Sequence, residues 1–399
     1  MGITRLGRNV GWTAVSAASD LMLSAAIGIA CARFMGNAAY GNLSGAIAIS
    51  GVFARLITGG LGPPTIREIG RASSAEEKAG WEAAATRRIT KNTILWVPIA
   101  LACAAALPPE IGWPLALCAP ALAASRAEAR SWRLQADLNK RGEIVPDRAG
   151  QLANGLSRIA LIAGNAPGWM FAAGISTGAW VRAALLARTR SGPKGETTEE
   201  KNGTLAKDSR RLLGATLAKY GLSAAPLLIL TALSAEAAGD FWAATRIAGV
   251  AALPTALYFP SANAEMLSGK RHGTHLKRAL AASCLAGAAM VALGPWIMAL
   301  LYGPAFANAG NCASLLGLGI MAAGPAALSE SALIADGRET CVTRISWLTG
   351  CAGAAIAATL WAAHPENPAL AGAAAIACPQ ILGALTYAGM RKQGKKERI

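Results

Sequence analysis

The chain has 399 residues, 53% of them hydrophobic and 15% charged, and 38 Lys and Arg stand against 22 Asp and Glu for a net charge of +16. Mean hydropathy is +0.37. So apolar a composition argues against a soluble protein of several domains. The absence of a phosphate-cradling loop or a nucleophile elbow argues against nucleotide-driven transport and hydrolase chemistry.

A membrane-spanning helix needs roughly 20 apolar residues, and about twelve windows qualify. In chain order they are 9–32, 41–63, 92–109, 111–129, 149–166, 168–187, 212–233, 242–262, 279–301, 309–333, 340–363 and 369–390. The first follows Arg5 and Arg8 but is too long for a signal peptide. The predicted class is an all-α integral membrane protein.

Basic residues gather at the termini and in alternate connections. One set holds Arg67, Arg71, Lys78, Arg87 and Arg88, then Lys140, Arg141 and Arg148, then a long polar loop from Arg188 to Arg211. Lys270, Arg271, Lys277 and Arg278 follow, then Arg338 and the tail from Arg391 to Arg398. The intervening turns near 108–113, 167, 234–241, 302–308 and 364–368 contain neither Lys nor Arg. By the positive-inside rule both termini are expected in the cytoplasm, with an even number of spans. The outer turns are too short for a folded domain.

The long loop divides the windows equally. The domain reading is an N-terminal bundle over 1–190, a polar linker over 191–211, a C-terminal bundle over 212–390 and a basic tail over 391–399. Two outer turns resemble each other: Met35 to Asn42, and Ser234 to Phe241, each with small residues, a Gly and an aromatic. Together with the equal division, this predicts two related parallel bundles. Ala and Gly within the windows allow close helix approach, including the Gly174 and Gly178 pair.

Eight cysteines are scattered without zinc spacing and read as packing residues. His272 and His275 have no third ligand nearby, so no metal site is expected. Trp12, Trp96, Trp113, Trp169, Trp242, Trp296 and Trp361 fall near expected interfaces, where aromatic belts form.

Several loose motifs, in order, carry a family resemblance. They are Ala32 to Gly36 with Tyr40 and Gly41, Gly59 to Gly62 with Arg67 and Glu68, and Ala238 to Phe241 with Arg246 and Pro254. Leu301 to Phe306 and Asp336 to Arg338 complete the set. The chain resembles the multidrug/oligosaccharidyl-lipid/polysaccharide (MOP) exporter superfamily, and within it the polysaccharide and O-antigen flippases. The resemblance implies two six-helix bundles of the MATE-like fold and alternating access. It implies movement of an undecaprenyl-pyrophosphate-linked oligosaccharide across the bacterial inner membrane, with a polysaccharide polymerase and chain-length machinery as partners. No bound cofactor is implied; the energy would come from an H+ or Na+ gradient or the membrane potential.

Such a headgroup needs a hydrated, cationic passage. An Arg at a helix centre costs about 2.5–3.5 kcal/mol, so intramembrane charges are retained for a purpose. The candidate substrate-binding residues are Arg55, Arg158, Arg246 and Asp20, the first two and Asp20 at similar depth. Arg offers fixed donors matched to phosphate oxygens. Asp20 and Arg55 read equally well as a structural ion pair. Arg126, Arg130 and Arg133 recur at helical spacing and are expected to meet lipid headgroups. A multidrug/cation antiporter of the same superfamily is the alternative, resting on Asp20. A membrane polymerase or ligase is a third reading, disfavoured by the short outer turns.

Overall fold

The computed structural model describes the chain apart from residues 1, 138, 190–198, 255–273, 336–338 and 397–399. Some side chains within helices, Asp20's among them, also lie outside the described residues, as do His272 and the Asp336 to Arg338 motif. Every apolar window falls wholly or partly on a helix, and the described residues contain no β-strand. Among the described residues, six helical stretches are long and apolar enough to cross a membrane: Asn37–Arg71, Ala75–Ala106, Gly168–Arg188, Lys277–Tyr302, Ala309–Leu328 and Pro368–Thr386. Shorter apolar helices cover Leu21–Met35, Ala224–Leu233 and Trp347–Ala363. Ile94, Leu95, Leu156, Leu285, Trp296 and Leu348 point outward and are exposed. Apolar side chains so placed would be a liability in water and are at home in lipid.

The chain divides into two compact units. The first comprises Met1–Phe34 and Asn42–Ala225, the second Met35–Gly41 and Pro226–Ile399.

The first unit holds α1 (Gly2–Met35), most of α2 (Asn37–Thr58), α3 (Gly62–Arg71), α4 (Ala75–Ala106), α5 (Pro109–Ala124), α6 (Glu128–Ala136), α7 (Lys140–Ala163), α8 (Ala173–Arg188) and the start of α9 (Glu199–Leu233). Local chemistry sets several of these ends. Helix α2 stops at Gly59 and Gly60, whose φ of 57° and 69° suit glycine and strain other residues. The Asn92 amide donates to the freed Ile57 carbonyl at 2.9 Å. Pro63 and Pro64 then open α3, where a missing N–H costs nothing. Helix α4 is capped by Ser74, which accepts from the Glu77 N–H at 3.0 Å, while Glu77 accepts from the Ser73 N–H at 3.0 Å.

Two stretches differ from the sequence expectation. Residues 75–91, read as a basic connection, form the first half of α4, because Trp81, Ala84, Ala85 and Ile89 bury one of its faces. Residues 199–211, read as polar linker, are the opening turns of α9. Leu205 there is buried in a core with Ile57, Ile69, Trp81, Leu122 and Trp132. The Lys201 ammonium lies 5.6 Å from the Trp81 ring centroid.

The second unit contains the end of α9, then α10 (Ala235–Ala251), α11 (Thr274–Tyr302), α12 (Ala309–Ala335), α13 (Glu339–Ala363) and α14 (Pro368–Lys396). Small residues set its packing. A Cβ on Gly287 would lie 2.6 Å from the Gly317 carbonyl oxygen, and one on Gly317 would lie 2.9 Å from that of Gly287. Backbones of α11 and α12 therefore meet directly, the packing available to helices without a hydrophobic drive. The Ser283 hydroxyl donates to the Ile320 carbonyl and accepts from the Gly324 N–H, satisfying buried groups across the same seam.

The two turns that resemble each other in sequence meet within the second unit. A Cβ on Gly41 would sit 1.8 Å from the Ala235 carbonyl oxygen, and one on Gly239 would sit 2.1 Å from that of Asn37. The contact is reciprocal, each glycine seated on the first residue of the opposite helix. That gives the short sequence likeness of these turns a physical reason.

Candidate functional site

The charged residues singled out in the sequence occupy different settings. Arg158 projects from α7 and is 8% exposed. It has room because α8 presents glycines: a Cβ at Gly174 would lie 2.8 Å from Arg158 Cγ and 2.8 Å from Asn154 Oδ1. One turn on, a Cβ at Gly178 would lie 2.5 Å from the Gly150 carbonyl. The Gly174 and Gly178 pair thus works inside the chain, bringing α8 against the polar face of α7. Arg158 Nε and Asn154 Oδ1 are buried with no hydrogen-bond partner among the described residues. Cys118 of α5 stands beside the Ser50 hydroxyl and within reach of the Arg158 charge.

Below Asn154 the seam opens into a polar cavity of about 240 Å³ lined by Asp147, Arg148, Gln151, Asn154, Gly178 and Arg182. Its lining groups on α7 follow a helical spacing, so Asp147, Gln151, Asn154 and Arg158 form one track. Arg182 at its edge bonds Glu128 at 2.6 Å and also Asp147. With two carboxylates engaged, Arg182 is a fastening between α6, α7 and α8 rather than a free cation. The sequence reading passed over Arg182, Asp147, Gln151 and Asn154. The signal for Asp147, Gln151 and Asn154 was the polar face of α7 itself, hidden by treating 140–148 as a connection, and that for Arg182 was a charge inside the window 168–187.

Arg55 sits near the end of α2 and is exposed, on the side away from Phe53 and Ile57, which are buried in the core. Asp20 lies within α1, and its side chain is outside the described residues. Arg246 belongs to α10 in the second unit, half-buried, with its guanidinium carbon 4.5 Å from the Trp242 ring centroid. Trp242 is thereby engaged by a cation. The Trp113 and Trp169 ring centroids are 6.1 Å apart, and both residues are exposed.

Arg130 and Arg133 depart from the expectation of a headgroup contact. Both reach Glu82 of α4, at 3.2 and 2.7 Å, and all three side chains are largely buried. Arg130 also donates to the Thr189 carbonyl at 2.9 Å. The buried Glu82 carboxylate requires compensation, so it draws both guanidiniums inward.

The sequence reading also passed over Asp240, near the start of α10. It is 3% exposed, with Oδ1 unpartnered among the described residues. Tyr302, Phe306 and Tyr40 cluster nearby in the same unit, with ring centroids 5.3 Å apart for the first pair and 6.1 Å for Tyr40 and Phe306.

No family model matches the chain, and no curated protein does. Solved structures do. The chain is similar to a multidrug resistance MATE family transporter of the MOP superfamily in an inward-facing conformation, at TM-score 0.69 and 14% identity, over 96% of this chain and 99% of that one. It is similar to the lipid II flippase MurJ in an inward closed conformation, at TM-score 0.72 and 13% identity, over 96% and 86%. It is also similar to a MOP superfamily transporter from Pyrococcus furiosus, at TM-score 0.59 and 13% identity, over 97% and 96%. The chain has the all-α membrane fold of MOP superfamily transporters. Its structural neighbours include both a lipid flippase and multidrug transporters.

Proposed function

We propose that the chain flips an undecaprenyl-pyrophosphate-linked oligosaccharide from the cytoplasmic to the outer leaflet of a bacterial inner membrane, supplying surface polysaccharide synthesis. The observation that carries this reading is Arg158: a cation buried in a polar seam of apolar helices, with an Nε–H that has no hydrogen-bond partner among the described residues and could serve an anion. A carboxylate in its place would favour a cationic cargo. In the first unit Arg55 supplies further positive charge for a pyrophosphate, and Asn154 and Gln151 offer amides to a sugar; Arg246 and Asp20, the other residues expected from the sequence to bind substrate, are tested separately. MurJ, one of the similar structures, is described as a lipid II flippase, which supports a lipid cargo here.

In this reading both termini lie in the cytoplasm, where the basic connections first meet the anionic headgroup. Transport proceeds by alternating access, and a polymerase and chain-length machinery receive the product on the far side. The energy comes from an ion gradient or the membrane potential, worth about 2.3 kcal/mol per charge per 100 mV. The test is deletion of the gene in a strain with no second flippase. Undecaprenyl-linked glycan should then accumulate on the cytoplasmic leaflet while surface polysaccharide is lost. Normal surface polysaccharide with no stranded intermediate would reject the reading. A multidrug/cation antiporter would instead show altered drug susceptibility with surface glycan intact.

A further inference from the structure

Several cations of the first unit are held by carboxylates. Arg130 and Arg133 meet Glu82, Arg182 meets Glu128 and Asp147, Lys78 meets Asp137, and Arg67 and Arg71 share Glu68. Arg87 and Lys91 on α4 differ. Both are exposed, and neither has an ion pair or a side-chain hydrogen bond among the described residues. The local sequence gives the reason: α4 contains no Asp or Glu after Glu82.

Helical register decides what lies beside them. At 3.6 residues per turn, Arg87, Lys91, Ile94, Leu95, Pro98 and Leu101 share one face of α4, and all six are exposed. The opposite face, with Ala85, Ile89, Trp96 and Ala100, belongs to the core of the unit. The outward face therefore has a cationic end that continues directly into an apolar strip, which is the profile of a lipid molecule with an anionic head.

Depth agrees with register. At 1.5 Å per residue from the turn at Pro108, Lys91 lies about 26 Å and Arg87 about 32 Å along α4. A hydrocarbon core is about 30 Å thick, so the two cations flank the boundary opposite that turn, at the level of lipid phosphates. Arg126 lies about as far from Pro108 along α5. It is exposed, in the turn Ser125–Ala127 that packs against α4, and adds positive charge at the same level.

The positive-inside rule accounts for cations on this side of the membrane. It does not require them to be unpaired or in line with an exposed apolar strip. Side chains at i and i+4 are about 5–6 Å apart, a spacing that one phosphate group bridges. A zwitterionic headgroup brings an ammonium that the pair repels, whereas a phosphodiester with a neutral headgroup brings only its negative charge.

We propose that this face of α4 binds a diacyl phospholipid of net negative charge, with its phosphate at Arg87 and Lys91 and an acyl chain along Ile94, Leu95, Pro98 and Leu101. The occupant is a lipid of the bilayer itself, so the site stands apart from the cargo proposed above.

The test places the full chain in phosphatidylethanolamine nanodiscs with a small share of photoactivatable phosphatidylglycerol, and maps the labelled peptides by mass spectrometry. Labelling should concentrate on α4 between Lys91 and Leu101, and unlabelled phosphatidylglycerol should displace it while added phosphatidylethanolamine does not. Arg87→Gln and Lys91→Gln should each lower α4 labelling by about fivefold, with labelling of the exposed Leu285 and Leu293 on α11 unchanged as the internal reference. Arg87→Lys, which keeps the charge, should retain it. Equal labelling of α4 by a photoactivatable phosphatidylethanolamine, or unchanged labelling in both Gln variants, would overturn the proposal. So would displacement by undecaprenyl pyrophosphate but not by phosphatidylglycerol, because the face would then serve a polyprenyl cargo. The assay contains no glycan and reads no transport, so failure of the flippase reading would leave its result intact.

Discussion

Arg158 and the two glycines opposite it carry most of the residue-scale argument. Gly174 leaves the notch in which the Arg158 stem and the Asn154 amide lie, and Gly178 lets α8 reach the backbone of α7 at Gly150. Replacing Gly178 by Ala forces a methyl within 2.5 Å of a carbonyl oxygen. This overpacking is expected to cost about 1–3 kcal/mol, visible as a lowered thermal unfolding midpoint of the detergent-solubilised protein. An unchanged midpoint would mean the seam is looser than described. Arg158→Ala should leave insertion and abundance unchanged while export falls by about tenfold, since a hydrogen bond to a charged group is worth about 1.5–3 kcal/mol. Arg55→Ala should act in the same direction, and normal export by both variants would remove them from the transport path. Arg158 was visible in the sequence as a charge inside an apolar window. Its setting was not, because the notch belongs to a different helix and no periodicity within α7 announces it. Asp240 was hidden for a related reason: it lies beside an outer turn, where an acidic residue looks solvated, and its burial comes from helices distant in sequence.

Among the elements, windows of hydrophobicity located the helices, while their extensions lay beyond what hydropathy reports. The first half of α4 and the start of α9 are polar enough to read as connections, yet each buries a narrow face against tryptophans. Such faces are set by tertiary contact, and a sum over all side chains dilutes them. The same contacts explain Arg130 and Arg133. Their helical spacing was legible, but the carboxylate that claims them, Glu82, lies in a stretch read as loop. Glu82→Gln should therefore take the shared carboxylate from two largely buried cations, Arg133 keeping Asp137 at 3.8 Å and Arg130 keeping Thr189, and destabilise the first unit by about 3 kcal/mol. A thermal melt checks this. Restoring stability by combining Glu82→Gln with Arg133→Met would tie the loss to the ion pair, whereas no recovery would point to another cause.

For the whole molecule, alternation of basic and uncharged connections predicts an even number of spans with both termini inside, and the chain has the all-α fold of MOP transporters. Alternation alone does not name a cargo, since orientation demands it of every multispanning chain. The buried cation in the α7–α8 seam is what points to an anion, and this central claim has a direct measurement. The purified chain is placed in liposomes carrying a fluorescent undecaprenyl-pyrophosphate oligosaccharide, and, in parallel, the same oligosaccharide on an uncharged lipid. The account predicts that leaflet exchange of the pyrophosphate form rises well above protein-free liposomes, that the uncharged form does not move, and that Arg158→Ala lowers the exchange of the pyrophosphate form by about tenfold. Equal movement of both lipids, or full activity without Arg158, would contradict it.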